Sequence, residues 1–121
     1  DSRYRIDDRG QQGILERYAL PEDMPTPFVC NNDHAAYLLI RQLRDAGLKV
    51  PGDVSVVGFD DVLYSEISDP PITTVHVNRR FMAEQAILLM KRRFQHPEAR
   101  SRTITIDCSI KFRESVDDIK N

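Results

Sequence analysis

The sequence predicts an α/β fold, in which a parallel sheet is flanked by helices. Two apolar runs, FVCNN at 28–32 and VSVVGF at 54–59, are continuous rather than alternating, as expected for strands whose two faces are both covered. Residues 34–46 between them carry apolar side chains at helical spacing. A strand, a helix and a strand of this length form a βαβ unit, which requires parallel strands and a right-handed crossover.

The helix between these two strands has local signals at both ends. Its apolar stripe consists of Ala36, Leu39, Ile40 and Leu43. Asn32 or Asp33 is placed to cap its first turn. Gly47 stands where a glycine is expected after a helix, and Leu48 follows as its hydrophobic partner.

The second half of the chain predicts a third strand, a longer helix and an edge strand. ITTVHV at 72–77 is the strand, and Asn78 caps a helix over about 79–95. The stripe of that helix is formed by Met82, Ala86, Leu89 and Met90. RTITIDCSIKF at 102–112 alternates, which predicts a half-exposed strand near a sheet edge. Its apolar face holds Ile104, Ile106, Cys108, Ile110 and Phe112.

Composition limits the chain to one soluble globular domain. It has 121 residues, of which 40% are hydrophobic and 30% are charged, enough for one core. A net charge of −2 argues against a strongly basic nucleic-acid-binding face. No apolar run approaches the roughly 20 residues of a membrane-spanning helix, and the polar N-terminus has no signal-peptide pattern. Cys30 and Cys108 match no metal or redox spacing, so we expect buried thiols in a reducing compartment, the cytoplasm.

The start of the chain shows little periodicity. Residues 1–13 favour no element, residues 14–20 permit a short helix, and the proline-rich segment 21–27 predicts a loop. The chain also begins without a methionine. We therefore expect the sequence to be a piece of a longer protein.

Polar side chains follow the first two predicted strands, where each strand ends. In an open parallel sheet, ligands bind beyond the carboxyl ends of the strands. Asn32 and Asp33 come after the first strand, and Asp60 and Asp61 after the second. Asp33 fits a helix cap as well as a ligand contact, and Asp61 is better interpreted as a solvated loop residue. Asp60 is the stronger candidate, because a carboxylate there could accept hydrogen bonds from sugar hydroxyls or from an amine.

One long stretch resembles a known protein family. TPFVCNNDHAAYLLIRQLRDAGLKVPGDVSVVGFDDVLYSEISDPPITTVHVNRRFMAEQAILLM is similar to the effector-binding core of the LacI/GalR family of bacterial transcription regulators. The order of its motifs carries the likeness: ND before a helix, then GLKVPGDVSVVGFDD, then PPITTV and a helix with MAEQA. The resemblance covers about residues 25–113, which makes it far more specific than a single short motif.

The resemblance implies a type I periplasmic-binding-protein-like C-terminal subdomain, in truncated form. In the family, a helix-turn-helix headpiece precedes two such subdomains, and a small-molecule effector binds between them. Residues 26–69 and 102–113 would then belong to the C-terminal subdomain, and the strand and helix at 72–95 to an otherwise absent N-terminal subdomain. Residues 1–25 would be a weakly structured lead-in. Operator DNA would be bound only through the missing headpiece.

The resemblance also implies ligand-binding residues. Asn32 and Asp60 match cleft positions that hydrogen-bond the effector in relatives, and the segment 77–82, with Arg79 and Met82, matches another stretch that lines the cleft. Arg79 stands where some sugar-binding relatives place an aromatic ring. An anionic ligand such as a sugar phosphate therefore becomes an alternative to a neutral sugar, unless Arg79 is merely solvated.

A dimer interface follows from the same resemblance. The helix at 35–46 and the loop at 62–68 match the dimer interface of the family. The residues concerned are Tyr37, Leu38, Arg41, Leu63, Tyr64 and Ile67. Clustered exposed apolar residues mark an association surface, and internal packing is the alternative. The apolar face of the helix at 79–95 lacks its usual partner, so we also expect the chain to form a homodimer or a higher oligomer.

Catalysis and metal binding have little support in the sequence. His34, His76 and His96 lack a metal-ligand spacing, and there is neither a Gly-x-Ser-x-Gly turn nor a glycine-rich phosphate loop. We predict no cofactor, no metal and no enzymatic activity, and instead the binding of a sugar or sugar derivative as effector. Two alternatives stay open: a solute-binding protein of a sugar transporter, and a phospho-receiver or small α/β enzyme that holds Mg²⁺ with Asp60 and Asp61.

Overall fold

The computed structural model describes residues 20–117, which form one four-stranded sheet and three helices. In chain order the elements are β1 (Pro27–Val29), α1 (Asp33–Asp45), β2 (Ser55–Asp60), α2 (Leu63–Ile67), β3 (Thr73–His76), α3 (Arg79–Gln95) and β4 (Ser109–Lys111). The strands lie side by side in the order β1-β2-β3-β4. The first three strands are parallel, and β4 pairs with β3 in the antiparallel direction.

This topology confirms the predicted α/β class and the parallel β1-α1-β2 unit. The predicted helix over 14–20 lies, apart from Leu20, outside the described residues, as do residues 1–19 of the predicted lead-in. No helix among residues 20–117 is both long and apolar enough to cross a membrane.

The core lies between α1 and the first three strands. The predicted stripe of α1 is fully buried, with Ala36, Leu39, Ile40 and Leu43 each at most 2% exposed. It packs against side chains of the strands and of their flanking segments, among them Phe28, Val54, Val56 and Ile72. Each large aliphatic side chain buried in this way contributes about 1.5 to 3 kcal/mol. The spacing of the apolar residues therefore predicts both the helix and the face by which it packs.

Local signals set both ends of α1. Asn32 is the N-cap, and its side-chain oxygen accepts a hydrogen bond of 2.7 Å from the backbone N–H of Ala35. At the other end Gly47 adopts a φ of +82°, which L-residues with a side chain adopt at a cost. The N–H of Leu48 then donates to the carbonyl of Leu43 at 2.9 Å. The cap is therefore Asn32 and not Asp33.

The long helix α3 has the predicted bounds, but its apolar stripe is not buried. Asn78 caps it, since its side chain accepts a 3.0 Å hydrogen bond from the N–H of Phe81. No residue of α3 is buried within the described part of the chain, and Met82 and Met90 are 46% and 58% exposed. Periodicity locates the apolar face of a helix, whereas burial requires a partner surface that residues 20–117 do not supply.

The last predicted strand lies at the sheet edge as expected, but it is shorter than predicted and neither of its faces is covered. Of residues 102–112 only Ser109–Lys111 form β4, and the face that alternation assigned to the interior is exposed, with Ile110 at 58% and Phe112 at 79%. Cys108 is likewise exposed rather than buried. The reason is that no described element covers this face of the edge strand. Cys30 is buried as predicted, and burial, followed by the charge of Asp33, raises the pKa of its thiol to about 12.

The strand at 73–76 lies between β2 and β4 in the same sheet. β3 thus shares one sheet with β1 and β2, the two strands that lie within residues 26–69. The assignment of residues 72–95 to a second subdomain stays a prediction.

Candidate functional site

The carboxyl ends of the parallel strands bring several polar residues to one edge of the sheet. β2 ends at Asp60, which lies opposite His76 at the end of β3. Asn32 and Asp33 follow β1 at the same edge, since β1 and β2 are parallel and in register from Pro27 to Val29. The expected meeting of strand ends is therefore present in the structure.

Asp61 is the centre of an ion-pair cluster at this edge. Its carboxylate accepts hydrogen bonds from Arg113 Nη2 at 2.7 Å and from His76 Nδ1 at 2.8 Å, and Ser65 Oγ lies 3.3 Å away. Lys111 Nζ is 3.8 Å from the same carboxylate. The Asp61 side chain is only 8% exposed. The interpretation of Asp61 as a solvated loop residue is therefore wrong, because basic groups from β3, β4 and the segment after β4 enclose it.

The surroundings of Asp61 favour its ionised form. Burial alone would raise its pKa. The hydrogen bonds from Arg113 and His76, with the charges of Arg113 and Lys111, outweigh burial and lower the pKa of Asp61 to about 2. The carboxylate is thus negatively charged at neutral pH and ties the β2–α2 turn to the edge strand.

Asp33 is also committed to the fold. It is fully buried, and its two oxygens accept hydrogen bonds from Thr74 Oγ1 at 2.5 Å and from the backbone N–H of Val62 at 2.7 Å. Burial raises the pKa of Asp33, while the two hydrogen bonds act in the opposite direction. Asp33 is therefore neither the N-cap of α1 nor a side chain available to a ligand. The residue joins the start of α1 to β3 and to the β2–α2 turn.

Asp60 differs from both neighbours. Its φ is +96° and that of Asp61 is +55°, a left-handed turn that aspartate tolerates better than most residues. The Asp60 side chain is partly exposed. Within residues 20–117 its carboxylate has no hydrogen-bond or ion-pair partner, whereas Asp33 and Asp61 are both fully engaged. Asp60 is therefore the carboxylate of this edge that remains available for a ligand.

The other predicted ligand residues lie at different parts of the same edge. Arg79, the first residue of α3, is exposed, and its guanidinium donates to the backbone carbonyl of Asp61 at 3.4 Å. This contact brings a cation to the backbone of the turn that follows Asp60. Met82 is 46% exposed in the first turn of α3. Asn32 is partly exposed, but the oxygen of its side chain is occupied by the cap of α1.

Two cavities in the described part of the chain are lined by other residues. One, of about 260 Å³, lies between the end of α1 and Asp69–Pro70. The other, of about 190 Å³, lies at the C-terminal end of α3. Neither of these two cavities is lined by Asn32, Asp60, Arg79 or Met82.

The predicted dimer residues of α1 and α2 form one continuous surface. The ring of Tyr64 lies 4.6 Å from that of His34 and 5.4 Å from that of Tyr37, and the Arg41 guanidinium is 5.8 Å from the Tyr37 ring. Tyr37 and Leu38 are partly buried. Leu63 and Ile67 are 67% and 54% exposed. Internal packing therefore accounts for part of this surface but not for its two aliphatic residues on α2.

Sequence reasoning missed the partners of Asp61. Arg113 is 52 residues away in the chain, and His76 is 15 away. One signal could have found Arg113: it follows Lys111 at a spacing of two, which places both on the same polar face of an edge strand.

The ion-pair cluster also argues against a magnesium site at Asp61, because the carboxylate of Asp61 is already occupied by cationic and hydrogen-bonding groups. Among residues 20–117 no group of three or more His, Cys, Asp or Glu side chains could hold a metal ion.

Comparison with known proteins connects this fold to a family. A family profile described as "Periplasmic binding protein-like domain" matches residues 1–116. The chain is 36% identical over 102 residues to the HTH-type transcriptional repressor PurR of Mannheimia succiniciproducens. The matched segment covers 84% of the chain and 30% of that protein.

Two solved structures are similar as well. The transcriptional regulator CelR in complex with cellobiose is 28% identical with a TM-score of 0.71, over 74% of the chain and 28% of that protein. The lac repressor dimer bound to operator and an anti-inducer is 27% identical with a TM-score of 0.69, over 76% of the chain and 32% of that protein. The chain thus spans less than a third of the length of each of these relatives.

Proposed function

Since the chain belongs to the periplasmic binding protein-like domain family, in the form found in LacI/GalR-type regulators, we propose that it is the effector-binding and dimerisation part of a bacterial transcriptional regulator. The relatives are transcriptional repressors and not enzymes. Because the chain covers only 30% of the PurR relative, sequence-specific binding to operator DNA is assigned to a headpiece outside this chain. A regulator of this kind acts in the cytoplasm.

The observation that carries the effector site is the contrast between Asp60 and its neighbours. Asp33 and Asp61 are held by hydrogen bonds inside the fold, whereas Asp60 has no partner within residues 20–117. A charged, partly exposed acceptor without a partner is suited to hydroxyl groups of a ligand. The cellobiose complex of a similar regulator supports a sugar or sugar derivative as the ligand class.

Arg79 adds a second requirement for the ligand. Its guanidinium lies against the Asp61 carbonyl at 3.4 Å and is exposed. A guanidinium and a carboxylate at the same edge of the sheet together favour a ligand that carries both hydroxyl groups and an acidic or phosphate group. Met82 and Asn32 complete the proposed contacts, Met82 through its apolar surface and Asn32 through its position at the start of α1.

Arg79 also links the proposed site on β2 to the helix α3. It is the first residue of α3, a helix whose apolar face is not covered within residues 20–117. A ligand that contacts Asp60 on β2 and Arg79 on α3 binds one relative position of the two elements more tightly than others. Such differential binding is what shifts a regulator between two states.

Calorimetry on matched variants tests the effector site. A thermal-shift screen of neutral sugars, sugar acids and sugar phosphates identifies a compound that raises the melting temperature of the chain. We expect Asp60→Asn to weaken binding of that compound at least about tenfold, which is the loss of one charge-assisted hydrogen bond. Glu114→Gln is the control, since it removes an exposed carboxylate elsewhere on the surface. Equal affinity of the Asp60→Asn variant and the wild type would refute the assignment.

Dimerisation is proposed to use the surface that joins α1 and α2. The exposed aliphatic side chains Leu63 and Ile67 lie beside the Tyr37–Tyr64 ring pair, and burial of such side chains stabilises an interface. Sedimentation velocity should show a dimer for the wild type and a monomer for Leu63→Glu. The control is Met90→Glu, which places the same charge on α3. Dissociation by Met90→Glu but not by Leu63→Glu would mean that the chains associate through α3 instead.

The two alternative functions fit the geometry less well. A monomeric solute-binding protein does not require the exposed α2 residues Leu63 and Ile67. A phospho-receiver or magnesium enzyme requires Asp60 and Asp61 to share a cation, and Asp61 is already paired with Arg113 and His76.

A further inference from the structure

We propose that the cavity at the C-terminal end of α3 binds a small phosphate-bearing anion, either free phosphate or the phosphate of a small monoester. The cavity has a volume of about 190 Å³ and is open to solvent. Its lining includes Arg92, Arg93, Arg100 and Arg102, with His96 and Ser101. We call this set the arginine cavity.

The charge around the arginine cavity is unlike that of the chain as a whole. The net charge of the chain is −2, yet residues 91–102 contain five of its 17 lysine and arginine residues and a single carboxylate, Glu98. Glu98 does not line the cavity. Like charges that are brought together without counterions repel one another, so their clustering is best stabilised by a bound anion.

The arginines of the cavity are not used by the fold in the way that Arg113 is. Among residues 20–117, no carboxylate forms a salt bridge with Arg92, Arg100 or Arg102. Arg93 is the exception in the set, since it donates to the carbonyl of Ala99 at 2.8 Å and thereby holds the turn after α3. The structure thus has one arginine that shapes the cavity and three whose donors are available within it.

The chemistry of these donors matches phosphate. A guanidinium presents its N–H groups in a planar fork that fits two oxygens of a phosphate or carboxylate. The helix C-terminus by itself disfavours an anion, because its last carbonyls carry partial negative charge. Here the Arg92 carbonyl accepts the His96 N–H at 2.9 Å, and three full positive charges exceed the remaining partial charge.

The size and place of the cavity separate this site from the proposed effector site. A volume of about 190 Å³ is below the ~300 Å³ at which drug-sized ligand pockets begin, so a phosphate or a three-carbon monoester fits better than a large ligand. With a rise of about 1.5 Å per residue, the end of α3 at Gln95 lies about 24 Å from Arg79 at its start. The two sites occupy opposite ends of one helix.

Titration of the 121-residue chain by calorimetry tests the inference, with inorganic phosphate, glycerol 3-phosphate and glycerol as probes. We expect saturable binding of a phosphate-bearing probe and none of glycerol. Tighter binding of glycerol 3-phosphate than of phosphate identifies a monoester as the ligand, and the reverse order identifies free phosphate. Arg102→Ala and Arg92→Ala should each weaken binding about tenfold, the loss of one charge-assisted contact.

Two control variants make the result specific. Lys91→Ala removes an adjacent positive charge that does not line the cavity and should change the affinity less than threefold. Arg80→Ala removes an exposed positive charge at the other end of α3, outside both proposed sites, and should leave phosphate binding unchanged. The inference is overturned if no probe binds saturably, or if Lys91→Ala weakens binding as much as Arg102→Ala. It is also overturned if Arg79→Ala alone abolishes binding, which would place the anion at the sheet edge and would support the proposed effector site.

Discussion

The substitution Asp61→Asn tests the ion-pair cluster at the sheet edge. Asparagine keeps the size of the side chain and tolerates the left-handed φ of +55°, so only the charge is lost. A carboxyl whose pKa falls from an ordinary 3.8 to about 2 contributes about 2 kcal/mol of stability at neutral pH. Arg113, with its side chain 15% exposed, would also lose its closest counterion. We expect the free energy of unfolding at pH 7 to fall by about 2 to 3 kcal/mol.

The direction of the pKa shift also determines the pH range in which the stabilisation by Asp61 is lost. Because the folded-state pKa of Asp61 lies below its unfolded value, its contribution is fully present above about pH 4 and is lost as the pH falls toward 2. Urea unfolding at pH 7, 4, 3 and 2 should therefore show wild type and Asp61→Asn converging at the acidic end. The control Asp60→Asn makes the same change one residue earlier, at a carboxylate without a partner in the described structure, and should cost less than about 0.5 kcal/mol. Equal losses for the two variants, or a difference that persists at pH 2, would refute the role of Asp61.

Two predictions concern the glycines. Gly58→Ala should lower the free energy of unfolding by about 1 to 3 kcal/mol in urea, because the added Cβ would clash with the buried Asp33 carboxylate and lie 3.2 Å from Ile72 Cγ2. The control is Gly52→Ala, whose Cβ meets only Lys49 Cβ at 3.5 Å, and it should change the free energy of unfolding by less than about 0.5 kcal/mol. Similar losses for both variants would contradict tight packing around Gly58. Gly47→Ala should cost about 1 kcal/mol through its φ of +82° alone, since open space surrounds its Cβ position; a neutral effect would mean that the end of α1 relaxes to another conformation.

The parts of the fold that local sequence determines were predictable. The cap at Asn32, the apolar stripe and Gly47 together locate α1 and its buried face. Asn78 likewise locates the start of α3. What periodicity does not contain is whether a partner surface exists. For this reason the apolar face of the edge strand was expected to be covered and is exposed within residues 20–117, whereas the missing partner of α3 was anticipated only from the family resemblance.

The candidate site was predictable in position and not in detail. Strand ends in a parallel sheet meet at one edge, which placed Asp60 and Asp61 correctly. The roles of the carboxylates depend on contacts between distant residues. Asp33 bonds Thr74, which is 41 residues away, and Asp61 bonds Arg113, which is 52 away. A single sequence does not reveal such pairs. It therefore did not show that Asp33 and Asp61 are hydrogen-bonded inside the fold while Asp60 is not.

Mapping of ligand contacts by amide and guanidinium ¹⁵N NMR tests the proposed effector site most directly. The sample is the chain with the tightest compound from the thermal-shift screen. We expect the largest shifts on the backbone amides of Asp60 and Asp61 and on the guanidinium of Arg79. Shifts confined to the cavity between the end of α1 and Asp69–Pro70, with resonances at the sheet edge unchanged, would contradict this assignment.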